Sequence, residues 1–219
     1  MVRFRKCRWY GLVFMIFSWL ILLSGENAMA EGQSSKFIPK FFSQATPIFM
    51  EDKLAATLGA VEKGAVFSYN YEDVVKLAGH SCLAVSGAYR LTQIALKKLY
   101  GEQTPIRGEI EVTFRGRVDA KVNGPISQVV TLITGAAAEN GFNGFGGKKF
   151  RRSGLLSFDE SSAISPGAIC SVVFKRLDTG RTVEITYTNS MLPSLPNMQE
   201  MVRIVLLDEV KNMFVLTEN

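Results

Sequence analysis

The chain has 219 residues, 47% of them hydrophobic, with 25 basic and 20 acidic side chains, a single histidine and three cysteines. That length and apolar content fit one domain with a sizeable core, and no internal repeat or long low-complexity tract suggests an array. Four of the basic residues crowd into the first eight positions, so the formal net charge of +5 does not describe a nucleic-acid-binding surface, and no long basic run lies elsewhere.

Arg3, Arg5, Lys6 and Arg8 precede an uncharged, mostly apolar stretch from Trp9 to Leu23, and Ala28-Met29-Ala30 fits a small-x-small cleavage site. This is the pattern of a secretory leader, with cleavage expected after Ala30. The apolar stretch is shorter than the roughly twenty residues a membrane helix needs; an uncleaved N-terminal anchor is the alternative. The expected location is therefore periplasmic or secreted, with no stable membrane span after cleavage. Loss of the leader removes four basic residues and one acidic residue, leaving 21 against 19, and takes Cys7 with it.

Residues 31–65 read as a lead-in followed by a helix that Thr46 caps, Pro47 opens and Ala60 ends. Val66–Asn70 is short and extended. Asn70 with Asp73 marks the start of a second helix, Tyr71 to Ala78, which Gly79 stops. His80 and Cys82 then fall in the break before a third helix, about Cys82 to Tyr100, whose first half is rich in small residues (Ala84, Ser86, Gly87, Ala88). Alternation over 106–122 predicts a strand, and Gly124-Pro125 opens a helix that runs from Ile126 to about Thr134. Cys170–Leu177 and Arg181–Thr188, separated by Asp178-Thr-Gly180, predict a β-hairpin. A closing helix is expected from Asn197 to about Phe214. Helices mixed with antiparallel strands define an α+β class, a mixed or antiparallel sheet packed against several helices. Residues 66–219 form its main domain.

His80-Ser-Cys82 offers one imidazole and one thiol, the donor set that zinc accepts. A zinc site needs three or four ligands, and Cys170, Glu109, Glu111 and Asp119 are the candidates for the rest. Three alternatives compete with metal binding. One is a Cys82–Cys170 disulfide, as exported cysteine pairs often form. Another is a buried, inert thiol. The last is a cysteine nucleophile with His80 as its base, for which spacing i, i+2 is awkward because such side chains do not normally meet on a helix or strand.

Gly135 to Gly147 is glycine-rich and ends against Lys148, Lys149, Arg151 and Arg152. Freed backbone amides beside cations can cradle an anion, so Gly144, Gly146, Gly147 and Lys148 mark a candidate ligand-binding loop, or a lid over the His-Cys pair. The spacing is not that of a phosphate-binding P-loop. A solvated surface loop is the plainer reading.

The run Gly79-His-Ser-Cys-Leu-Ala-Val-Ser-Gly87-Ala-Tyr-Arg90 resembles the signature of the FmdE-like family, named for a component of formylmethanofuran dehydrogenase. The resemblance continues through Gly108–Phe114, Thr134-Gly135-Ala136 and Gly147-Lys148, over about residues 66–175. It implies an α+β domain, often a homodimer, with His80 and Cys82 among the ligands of a metal, usually zinc. Three features depart from that family's pattern. No further cysteine followed by aspartate stands near Asn123–Gln128, Leu83 replaces a common proline, and no C-terminal Cys-x-x-Cys ribbon is present. The resemblance therefore assigns no third ligand. It suggests an exported divergent branch that binds metal and a small ligand, with no enzymatic activity implied by the family name. A metal- or cysteine-dependent enzyme acting on a small anionic substrate is a further alternative.

Overall fold

Strict alternation at Ile110, Val112 and Phe114, all fully buried, makes the strand β3 (Ile110–Arg115) the spine of the fold. The computed structural model describes residues 36–146 and 149–218; the expected leader, Gly147 and Lys148 lie outside them. One compact unit begins at Ile38. Its sheet has the order β4-β3-β5-β6-β7, built from β3, β4 (Leu156–Asp159), β5 (Ala168–Arg176), β6 (Thr182–Thr188) and β7 (Phe214–Glu218). β3 pairs parallel with β4 and antiparallel with β5, and β5, β6 and β7 continue antiparallel. A smaller two-stranded sheet joins β1 (Ile48–Glu51) to β2 (Val66–Tyr69). The helices are α1 (Lys53–Thr57), α2 (Tyr71–Ala78), α3 (Leu83–Tyr100), α4 (Asn123–Thr134) and α5 (Met198–Leu206). The α+β class expected from the sequence is what the chain adopts. Among the described residues no helix is long and apolar enough to cross a membrane.

Helix α3 packs against α2, α4, α5 and the strands β5 and β6. It is buried on most of its circumference, from Val85 through Tyr89 and Leu91 to Leu99, as befits a helix enclosed by other elements rather than lying on a surface. The opposite face of the sheet is polar. There Arg115 bridges Asp159 (3.1 Å) and Glu184 (3.0 Å), and Thr113 meets Ser157.

Two expected elements are replaced. The helix expected from Thr46 to Ala60 is the strand β1 followed by the five-residue α1. Ile48 and Met50 are buried while Phe49 between them is exposed, a period of two, and the strand pairs antiparallel with β2. The cap is Asp52, whose carboxylate accepts the amides of Leu54 (3.0 Å) and Ala55 (3.1 Å). At the C-terminus the expected helix stops at Leu206, because Asp208 (φ 59°) and Asn212 (φ 66°) take left-handed backbone. Asp and Asn tolerate that region better than other non-glycine residues. The chain then returns as β7 against β6. Strand β4 has no counterpart among the expected elements; it follows the glycine-rich loop and joins the sheet edge beside β3.

At Gly87 the helix α3 lies close against the sheet. A Cβ there would lie 2.1 Å from Cε1 of Tyr187. That ring cannot retreat, since it is fully buried, stacked on Phe214 at 4.9 Å, and tied through its hydroxyl to the Leu83 carbonyl at 3.1 Å. Gly87→Ala is accordingly expected to destabilise the protein by about 1–3 kcal/mol through overpacking, despite alanine's better helix propensity. Denaturant unfolding of the variant beside the parent checks this, and an unchanged midpoint would count against the contact.

Candidate metal centre

Helix α2 ends because Gly79 adopts left-handed backbone (φ 72°), its amide still bonded to the Val75 carbonyl at 2.9 Å. Cys82 is the N-cap of α3, extended at φ −146° and ψ 179°, and its carbonyl accepts the Ser86 amide at 2.9 Å. His80 and Cys82 thus stand in neither a helix nor a strand. The objection that i and i+2 side chains do not meet is overturned here: His80 Nε2 and Cys82 Sγ lie 3.2 Å apart. His80 Nδ1 sits 2.9 Å from the Ala78 carbonyl. A carbonyl only accepts, so Nδ1 carries hydrogen, and in the neutral ring Nε2 turns its lone pair toward the sulfur.

The hydrogen bonds made by Ser81, between the two, run to uncharged groups. Ser81 shares a hydrogen bond with Tyr71 (2.8 Å), and Gln199 Nε2 donates to the Ser81 carbonyl (3.2 Å). Tyr71 and Tyr187 are both held neutral. Burial raises the Tyr71 hydroxyl pKa above its ordinary value, with the Ser81 bond opposing and Cys82 assisting. Burial raises that of Tyr187 as well, followed by the influence of Cys170 and Cys82. His80 is exposed and Cys82 half-buried, so the pair is open to solvent.

None of the further ligand candidates joins it. Cys170 is fully buried on β5, and burial pushes its thiol up to about 12; the buried, inert environment expected as an alternative for Cys82 belongs to Cys170 instead, while Cys82 is half-buried. Glu109 pairs with Lys53 (2.7 Å), Glu111 with Lys175 (3.6 Å) and Asp119 with Arg117 (3.0 Å). Among the described residues no three His, Cys, Asp or Glu side chains come together. Cys82 and Cys170 are both free, so the disulfide alternative is not what this fold forms.

The glycine-rich loop is anchored in a way that spacing does not reveal. Arg152, expected among the anion-cradling cations, is instead buried and bonded to Asp52 at 2.8 Å, while Arg107 binds the other oxygen at 3.1 Å. Arg152 threads between two glycines, Gly108 (φ 81°) and Gly135 (φ 73°), where a Cβ would lie 2.2 and 2.3 Å from Nη1. The positive φ at both makes glycine the fitting residue twice over. Of the candidate ligand-binding positions, Gly144 and Gly146 belong to the described loop, and Phe145 beside them bonds Lys149. Between α4 and the loop lies a groove of about 640 Å³ whose walls include Leu77, Gln128, Thr131, Ala138, Phe142 and Phe158. That volume is in the range of small-molecule sites. Leu77 belongs to the groove and stands three residues before His80.

A scan against protein-family models finds no match to this chain, and a search of curated proteins finds none either.

Asp52 ties α1, β3's lead-in and the loop together while only 5% of its side chain is exposed. Burial opposes its charge, but the Ala55 amide, Arg152 and Arg107 hold its carboxyl below the usual carboxylate value. A depressed folded pKa contributes stability that is present above the unfolded value, about 3.9, and lost as pH falls through the folded one. Asp52→Ala leaves Arg152 buried beside a missing anion and is expected to cost about 3–5 kcal/mol. The variant should also lack this part of the acid-induced loss when unfolding free energies are compared at neutral and acid pH.

Proposed function

We propose that this chain is an exported, metal-binding α+β domain of FmdE-like kind. On this reading it holds zinc through His80 Nε2 and Cys82 Sγ and takes a small molecule in the groove under its glycine-rich loop. The observation that carries the reading is the 3.2 Å convergence of the imidazole and the sulfur. Two ligands of one tetrahedral zinc, at about 2.0 Å to nitrogen and 2.3 Å to sulfur, lie about 3.5 Å apart, so a shift of a few tenths of an ångström seats both on one ion. The Ala78 carbonyl on Nδ1 is the outer-shell partner that ligating histidines commonly use to fix ring and tautomer. Bound zinc supplies Lewis acidity where a coordination position stays open, and cross-linking where none does. Export is supported by the basic, apolar and Ala-Met-Ala sequence of the first thirty residues.

The same geometry favours one second reading, a thiol nucleophile. Cys82, His80 and the Ala78 carbonyl stand in the order nucleophile, base and orienting group. The two readings separate on metal content. Protein purified from its exported location should carry zinc, and His80→Ala and Cys82→Ser should each lose most of it, at least tenfold in affinity, without loss of circular dichroism. In the parent, iodoacetamide should modify Cys82 only after chelation. Metal-free parent protein with Cys82 already alkylated rapidly would sink the zinc reading in favour of the nucleophile.

A further inference from the structure

One edge of β1 is taken by β2. On the other edge Glu51 donates its amide to the Pro105 carbonyl at 2.9 Å and accepts the Arg107 amide at 2.8 Å, a parallel bridge centred on Ile106. Main-chain groups along a strand alternate between its two edges, so Met50 faces β2 and Phe49 faces the same way as Glu51. Carried back two residues, the parallel register would have Phe49 donate to the Gln103 carbonyl and accept from the amide of residue 105. That residue is proline and has no amide hydrogen to give. The ladder cannot continue past Glu51, and at this point a cavity of about 670 Å³ opens between β1, α3 and the residues before Pro105. Its volume is in the range of ligand sites.

We infer that this cavity receives an extended segment of another polypeptide, apolar and acidic in composition, which adds as a short strand to the free edge of β1. The amide and carbonyl of Phe49 call for such an occupant. A purely apolar ligand would strip both groups of water and leave them unpaired, whereas a second backbone satisfies both at once. Strand addition of this kind takes affinity from main-chain bonds and specificity from the side chains around them. Pro47, two residues before Phe49, suits an edge position, where a missing amide costs the sheet nothing.

The walls decide the composition of the segment. Phe49 is 51% exposed, and Pro47, Ile94 and Pro105 line the same cavity, so apolar side chains find contact there. Arg90, Lys97 and Lys98 also line it, against one carboxylate among the described lining residues, that of Glu102. Lys97 pairs with Glu102, and Lys98 with Glu218 at 3.1 Å, with all four side chains exposed. Exposed pairs hold each other weakly, so an incoming carboxylate can take either lysine. Arg90 is held by Asp208 at 3.0 Å and adds to the positive field without being free for contact. The inference stands apart from the metal reading, since neither His80 nor Cys82 lines this cavity.

The test is a titration of isotope-labelled full-length protein with the probe peptide acetyl-Val-Glu-Val-Glu-Val-Glu-amide, followed by amide NMR. Saturable shifts at Phe49, Gln103 and Thr104 are expected, with affinity at least fivefold above that of the same peptide carrying lysine for glutamate. Lys97→Glu combined with Lys98→Glu should reverse that preference, and Phe49→Ala should weaken binding severalfold; both changes are at exposed positions, and an unchanged spectrum elsewhere confirms the fold. Two further peptides, one N-methylated at every valine and one at every glutamate, separate main-chain pairing from side-chain contact. Alternate amides face opposite edges, so one of the two should bind as the parent does and the other at least tenfold more weakly. Equal binding of both methylated peptides, equal binding of the glutamate and lysine peptides, or shifts absent from Phe49 and 103–104 would each overturn the inference.

Discussion

The packing of α3 onto the sheet through Gly87 and Tyr187 fixes where the chain can place its only histidine. The tyrosine ring occupies the space a side chain at 87 would need, and its hydroxyl takes hold of the Leu83 carbonyl in the first turn of the same helix. The start of α3 is thereby registered against β6, and the stack on Phe214 passes that registration to β7. The N-cap position of α3 is Cys82, so the sulfur inherits its place from a core contact about five residues away. Small residues in the first half of α3 serve this approach.

Given a fixed sulfur, the imidazole reaches it only because the backbone leaves helical geometry between the two residues. Gly79 turns left-handed and Cys82 is extended; continuing α2 by one turn would carry His80 to another face. The Ala78 carbonyl, one of the last of α2 and without a partner in its own helix, becomes the acceptor for Nδ1. A helix end that must satisfy its carbonyls and an imidazole that must choose a tautomer resolve each other. The two buried tyrosines are held neutral, and the imidazole stays exposed with the sulfur half-buried beside it.

Local signals in the sequence carry much of this. The capping pair Asn70 and Asp73, the stop at Gly79, the helix to Tyr100 and the β5–β6 hairpin all reside in neighbouring residues, and each stands where spacing places it. Elements decided by distant partners do not read locally. Ile48–Glu51 becomes a strand because Val66–Tyr69 is there to pair with it, and Phe214–Glu218 because the edge of β6 is open. Tertiary pairing overrides local helix signals of this strength. The Asp52–Arg152 tie spans 100 positions, and no periodicity could announce it. Its only trace in the sequence is a pair of glycines, at 108 and 135, whose reason is the guanidinium between them. The meeting of His80 and Cys82 escapes sequence reasoning for a related cause: the rule against i, i+2 contact holds for regular elements, and this pair occupies the gap between two.

The two cysteines show how one residue type is divided by environment. Cys170 alternates inward on β5, where burial in the sheet–helix core removes solvent and keeps the thiol protonated; it packs as a small apolar group and is lost to chemistry. Cys82 caps a helix at the surface with nitrogen at hydrogen-bond range, the position from which sulfur binds metals or attacks electrophiles. Placing the second cysteine in the core leaves the first without a disulfide bond to it: Cys82 and Cys170 are both free. Separation of the thiols and convergence of the unlike donors therefore favour the same outcome, a sulfur kept free of the second thiol and held beside the imidazole nitrogen.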